Sequence, residues 1–272
     1  MLARVFGGCA IVAALLALVL TAPERRPNGA APPLERTASV DPAAEGGEPA
    51  EKKRAQRPPP PECSPRGRTV RRQLGTKRKV VALTFDDGPS AATNRFLRVL
   101  DRFDAHATFY VLGSLVPKRE ITLQRAVAQG HSIGNHTVGH VNVRAGGALA
   151  KAQIRPTSAR IRSATGVRPC TFRPPYGLRT PPLDRIVRDQ RMLSILWNVD
   201  TSDFSGIAPD LIARAAIAGI DRGSIILMHD GGGDQLNTLA ALPQILRAIK
   251  RRKFKAVTVP ELLQLNDRPK RP

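Results

Sequence analysis

From residue 80 onward, short β-branched and apolar runs alternate with helix-length segments, and no other feature of the chain narrows the fold as far. The strand-like runs are residues 80–85, 107–112, 132–135, 171–173, 193–199, 224–228 and 256–259. Between them lie helix-length segments at 91–103, 117–129, 148–163, 182–189, 209–220 and 236–250. Such alternation implies parallel strands joined by crossover helices, since a tight turn cannot connect parallel neighbours. Seven units of this kind predict an α/β fold, a distorted or incomplete (β/α) barrel of about seven strands. The polar residues follow the same logic. Asp86 with Asp87, His136, Arg173, Asp200 with Asp203, and His229 with Asp230 all sit at or just past the C-terminal ends of runs, where parallel barrels place their chemistry.

The front of the chain has a different character. After Arg4 an uncharged run covers residues 5–20, followed by Thr21, Ala22 and Pro23. It is longer than a signal-peptide apolar region (~7–15 residues) and shorter than a spanning helix (~18 or more). Residues 1–22 are therefore expected to be a signal peptide or a signal anchor, with the protein exported to the outer face of the membrane, to the cell wall or into the medium. Residues 23–68 hold 11 of the 24 prolines and no aromatic residue. That composition cannot bury enough apolar surface to fold and predicts a disordered tether. Seven of the eight Phe, both Tyr and the Trp lie from Phe85 onward, which places one globular domain at 69–266 and leaves a basic tail at 267–272.

Charge bounds the partners. The net charge is +21; residues 1–68 carry 10 Lys/Arg and 7 Asp/Glu, leaving 33 and 15 for residues 69–272. A basic domain raises nucleic acid as a partner. No helix-turn-helix, zinc-finger spacing or aromatic sheet pattern accompanies it, so the expected partner is an anionic wall polymer or membrane surface, and no nucleic acid. The membrane is expected to be met only through the N-terminal segment, and the protein is expected to be a monomer. Of three cysteines, Cys9 lies in the apolar run, while Cys63 and Cys170 could form one disulfide after export. No Cys-x-x-Cys is present, which excludes a thiolate zinc site.

His136-Thr137-Val138-Gly139-His140 spaces two imidazoles i, i+4, which on one helical turn point the same way. A catalytic divalent ion usually takes three protein ligands plus water, so a carboxylate is the missing third. Asp86 and Asp87 supply it. Neighbours in a regular strand face opposite sides, and the Gly88-Pro89 turn is expected to end the strand so that both carboxylates reach one site. His106 and His131 are read as structural, and Trp197 as a core residue within a strand.

At this point the residues resemble the polysaccharide deacetylases, the NodB-homology or carbohydrate esterase family 4 domain. Thr84-Phe85-Asp86-Asp87-Gly88-Pro89 is similar to the family's first motif, His136-x-x-x-His140 to its second, Phe172-Arg173-Pro174-Pro175-Tyr176-Gly177 to its third, and Leu227-Met228-His229-Asp230 to its fifth. The fourth, usually Asp-x-x-Asp-Trp, stands here as Asp200-Thr201-Ser202-Asp203-Phe204, with Phe in place of Trp. The ordered set spans residues 84–230.

The resemblance implies a divalent metal, most often Zn2+ with Co2+ or another ion as alternatives, held by Asp87, His136 and His140. It implies Asp86 as general base, Arg173 holding Asp86 ionised, and His229 as general acid with Asp203, or else Asp200, beside it. Tyr176, with Pro175 and Leu227, would contact substrate or the oxyanion. The implied reaction is removal of N-acetyl groups from a GlcNAc-containing polymer of the cell wall, peptidoglycan or chitin oligosaccharide. The alternatives are an O-acetyl esterase on xylan-like glycan and a wall-binding protein without turnover.

Overall fold

The computed structural model describes residues 73–265. The expected signal or anchor segment, the tether and the basic tail lie outside the described residues, as does Cys63. Cys170 itself is disulfide-bonded.

The chain runs β1 (Val80–Gly88), α1 (Thr93–Arg102), β2 (Thr108–Val111), α2 (Glu120–Ala128), β3 (Ser132–Asn135), α3 (Gly147–Thr165), β4 (Thr171–Phe172), α4 (Pro181–Asp189), β5 (Leu193–Ser194), β6 (Val199–Asp200), α5 (Pro209–Ala218), β7 (Ile225–His229), α6 (Leu236–Arg251), β8 (Lys255–Val257) and α7 (Val259–Gln264). Seven strands form a curled parallel sheet in the order β5-β4-β3-β2-β1-β7-β6, with β8 paired to the start of β1. This is the incomplete α/β barrel that the alternation predicted.

Strand parity divides the core. Val81, Leu83 and Phe85 of β1, with Phe109, Ile133, Ile226 and Met228, point outward and pack under the helices. Phe85 stands edge-on to Phe96 of α1 and stacks on Phe109, each at 5.2 Å between ring centres. Truncating a buried Phe of this kind to Ala costs about 3–5 kcal/mol. Val80 and Ala82, with Tyr110, Ile195 and Ile225, point into the curl and form its smaller inner core.

One expectation is corrected. The apolar run 193–199 is two strands: β5 pairs with β4 at one edge of the sheet and β6 with β7 at the other. Residues 195–198 cross the opening between the edges. Ile195 N–H still bonds Phe172 O (2.8 Å), while Asn198 has already moved to β7, its Oδ1 accepting from Ile225 N–H (2.8 Å). The run looks continuous in sequence because Leu193, Ile195, Leu196 and Val199 are buried whether they lie in a strand or in the crossing. The short α7, which the sequence reading did not anticipate, is opened by a Thr258–Glu261 capping box.

Candidate active site

Inward parity carries the chemistry to the mouth of the barrel. On β1 the inward set Val80, Ala82 is continued by Thr84 and Asp86. On β7 it is Ile225, Leu227 and His229, and the Cα atoms of Asp86 and His229 are register partners. A carboxylate and an imidazole therefore stand side by side on adjacent strands. Asp87, by parity, would face the helices. Instead the register slips between Asp86 and Gly88, and Asp87 takes φ 68°, so its carboxylate turns to the same side as Asp86. The expected device was a strand ending at Gly88-Pro89. The strand runs through Gly88, and the bulge does the turning.

The two histidines also meet by a different route from the one expected. Residues 136–140 form a turn, not a helical turn, with Thr137 at φ 72° and His140 at φ 56°. Asn135 Oδ1 accepts from Thr137 N–H (2.9 Å) and Thr137 Oγ1 from His140 N–H (3.0 Å). The imidazole centres end 5.1 Å apart. His136 is buried, and burial pushes its pKa down to about 3, so the ring is neutral. Its Nδ1 lies 2.7 Å from Arg173 O, a contact satisfied only if Nδ1 carries the proton. Nε2 is then a lone pair, 3.5 Å from Asp87 Oδ1, and His140 Nε2 is 3.6 Å from the same oxygen.

Asp87, His136 and His140 thus offer one oxygen and two nitrogens, all within 4.8 Å of one another. Asp87 Oδ1 is buried with no hydrogen-bond donor. Lone pairs facing one another across such gaps repel unless a cation lies among them, so this donor set fits a divalent ion of the nitrogen- and oxygen-preferring kind.

Arg173, just past β4, is fully buried. One of its terminal nitrogens donates to Asp86 Oδ1 and to Thr84 Oγ1, each at 2.8 Å, and Nε donates to Ile195 O at 3.3 Å. The guanidinium lies 4.2 Å from the Tyr110 ring centre and 5.4 Å from that of Trp197. Tyr110 can lie there only because residue 134 is glycine: a Cβ at Gly134 would come within 2.4 Å of the ring. Burial raises the pKa of Asp86, and Arg173 is the largest opposing influence.

His229 Nδ1 is 2.8 Å from Asp203 Oδ1; Asp203 Oδ2 accepts from His229 N–H (2.7 Å) and Thr238 Oγ1 (2.9 Å). Burial alone would lower the pKa of His229. The hydrogen bond and charge of Asp203, with the charges of Asp86 and Asp87, outweigh it and push the pKa up to about 9. Asp200, the second choice for this partnership, is exposed and accepts instead from Trp197 Nε1 (3.0 Å) and Ser202 N–H (2.8 Å). Trp197 is therefore no strand-core residue: it lies half-buried in the crossing segment, between Asp200 and Arg173.

Tyr176, at φ 59° and 63% exposed, sets its ring edge-on to His140 at 4.6 Å. Pro175 beside it is buried, and Leu227 is buried below His229. Phe204 is 65% exposed with its ring 5.9 Å from His229. Asp230 is buried behind the β1–α1 turn, holds Thr93 Oγ1, and has its pKa pushed up to about 7 by burial. His131 accepts Ala107 N–H on Nδ1 (3.1 Å) and His106 pairs with Glu261 (3.6 Å), both far down the strands from the mouth.

The sequence reading missed Thr84, Tyr110, Trp197 and Thr238 as members of this site. Thr84 shares the parity of Asp86 and was open to discovery. Tyr110 and Thr238 carry no sequence signal of what they touch.

A polysaccharide deacetylase profile matches residues 73–193. The chain is 30% identical over 195 residues to a peptidoglycan-N-acetylglucosamine deacetylase of Bacillus cereus, covering 71% of this chain and 92% of that one. It is 35% identical over 209 residues to a chitooligosaccharide deacetylase of Sinorhizobium fredii, covering 71% and 96%. Among solved structures, a T48 deacetylase with substrate superposes with a TM-score of 0.65 at 38% identity, covering 70% of this chain and 93% of that one.

Proposed function

Because the chain belongs to the polysaccharide deacetylase family and is a hydrolase of that kind, we propose that it removes N-acetyl groups from GlcNAc units of cell-wall glycan, with peptidoglycan the leading substrate and chitin oligosaccharide the second. The observation that carries this reading is the pairing of Asp86 and His229 on adjacent strands, beside the Asp87, His136 and His140 set. The matched deacetylases are named for those two substrates.

The protein's own residues divide the work. Asp86, held by Arg173, takes a proton from the attacking water as its oxygen bonds to the acetyl carbon. Asp87, His136 and His140 would hold a divalent cation, with zinc the expected ion. A cation bound there supplies Lewis acidity, acidifying water and polarising an acyl carbonyl. The backbone N–H at Tyr176 is the proposed second donor to the oxyanion, with Pro175 and Leu227 walling the acetyl group. Collapse breaks the C–N bond, and His229, kept protonated by Asp203, delivers its proton to the departing amine. Acetate and a free amine result. An ester would leave without that proton, so the Asp203-supported acid favours amide over the O-acetyl esterase reading. Export by residues 1–22 would bring the domain to this substrate.

The test is acetate release in the presence of zinc from peptidoglycan and from chitin oligosaccharide. Release from either, lost in His229→Ala, supports the reading. Release from acetylated xylan alone, with His229→Ala nearly as active, favours the esterase.

A further inference from the structure

Most of the domain's excess charge has no part in the site, and much of it gathers at the opposite end of the barrel. Residues 77–79 (Lys-Arg-Lys) lead into β1, residues 250–253 (Lys-Arg-Arg-Lys) end α6, and Lys255 opens β8; all eight are exposed. They share one end of the sheet, since Lys255 is the register partner of Val80 and its N–H bonds Lys79 O (2.9 Å). The nearby carboxylates are fewer: Asp101 in the last turn of α1, Asp104 just past it, Asp221 before β7, and Glu261, which faces His106. Favourable interaction with a helix C-terminus explains Lys250 and Arg251. Arg252 donates to Ile217 O (2.7 Å) and Lys79 Nζ lies 5.9 Å from the Phe254 ring centre, but neither these contacts nor the helix end accounts for gathering Lys253 and Lys255 beside them.

A second observation bears on the partner. The 72 residues that precede the described domain join it at this same end. Gln73 bridges to Ser224, just ahead of β7, and Leu74 is buried with its N–H on Gly223 O (3.0 Å). Leu74 O would clash with any side chain at position 223, where φ is 77°. The apolar run at 5–20 is separated from Gln73 by 52 residues.

In place of the expectation that only the N-terminal segment meets the membrane, we propose that this end of the barrel docks on an anionic phospholipid surface, so that the catalytic mouth faces away from the bilayer and toward the wall. This rests on the export reading above, with residues 1–22 retained as an anchor. A chain anchored at its front and entering the domain through the basic end brings that end back to the membrane, so a weak contact becomes intramolecular. The mouth lies a strand length away, roughly 25 Å for β1 at about 3.3 Å per residue. That exceeds the ~8 Å screening length, so the patch leaves substrate at the mouth unbiased. A wall polymer would give no reason for the patch and the chain entry to coincide.

The test uses the full chain with vesicles of phosphatidylglycerol or of phosphatidylcholine, at about 0.02 M and about 0.5 M salt. The apolar segment contributes to both lipids, so the ratio of affinities isolates the charge. Each docked Lys or Arg contributes about fivefold near an anionic leaflet. The expected ratio is a hundredfold or more at low salt, collapsing at high salt. Combining Lys79→Glu, Arg251→Glu, Lys253→Glu and Lys255→Glu should bring the ratio near one while acetate release from soluble chitin oligosaccharide persists. Reversing Arg95, Lys151, Arg155 and Arg185 to Glu changes net charge equally and should keep most of the ratio. A wild-type ratio near one overturns the proposal. So does an equal loss in both variants, or displacement by soluble polyglycerol phosphate at matched phosphate. Failure of export would appear in cell fractionation, and failure of deacetylation in acetate release, neither of which moves the vesicle ratio.

Discussion

Asp86 and Arg173 are bound to each other without access to water, and that gives a change at Asp86 two separate readouts. Asp86→Asn removes the proposed base, so acetate release should fall by about 10²–10⁴. It also strands a buried guanidinium whose charge no other described carboxylate meets at hydrogen-bond distance, at a cost of about 3–5 kcal/mol. Calorimetry should show a fall in melting temperature of roughly 10 °C, at about 2–4 °C per kcal/mol in a domain of this size. An inactive variant with unchanged stability would mean that the pair is not formed as described. His229 makes the complementary case for pH. Its pKa, raised to about 9, keeps it protonated through neutrality, so the alkaline limb of kcat/KM reports its deprotonation. In Asp203→Asn the largest influence opposing burial is lost and only the charges of Asp86 and Asp87 remain, so the limb should move to lower pH by a unit or more. Linkage has the same sign. A raised pKa contributes stability that is complete below about 6.5 and lost as pH rises through about 9, and the variant should lack that loss.

The elements decide which residues can meet, and here sequence and structure part company in an instructive way. Asn198 fastens the segment that crosses from β5 to β6, accepting from Ile225 N–H (2.8 Å) and donating to Ser224 Oγ (3.3 Å). Asn198→Ala leaves a backbone donor unsatisfied, so stability should fall by about 1–3 kcal/mol. Activity should fall with it, because Trp197 and Asp200 lie on the same segment. Asp86, His136, Arg173, Asp203 and His229 were all visible in the sequence because strand alternation marks strand ends, and a parallel sheet brings its C-terminal ends together. How they converge was not visible. The bulge that turns Asp87, and the left-handed residues Thr137 and His140, depend on backbone angles that non-glycine residues adopt only when their surroundings hold them there. The crossing segment was hidden for a related reason: hydrogen-bond pairing, not composition, separates β5 from β6. Tyr110 shows the same limit, since its place under Arg173 depends on the missing side chain of Gly134, its register partner on the neighbouring strand. Gly134→Ala should shift that ring and lower kcat more than KM.

For the whole molecule, a curled sheet with Asp86, His229 and the Asp87, His136 and His140 set at one rim and a cluster of cations at the other would, if both proposals hold, be a domain with two working ends. If the rim holds a divalent ion, zinc should stabilise the fold by mass action, about 2.7 kcal/mol at a hundredfold excess over Kd. That corresponds to roughly 5–10 °C in melting temperature. A chelator should reverse the gain, and His140→Ala should abolish it. No shift with zinc, cobalt or manganese would count against the assignment of Asp87, His136 and His140 as ligands. The most direct measurement of the central claim is acetate release from purified peptidoglycan by the full chain loaded with zinc, beside Asp86→Asn. Release by the parent chain that disappears in the variant is the predicted result. A folded, zinc-loaded parent that frees no acetate from peptidoglycan, or from chitin oligosaccharide run alongside, would contradict it.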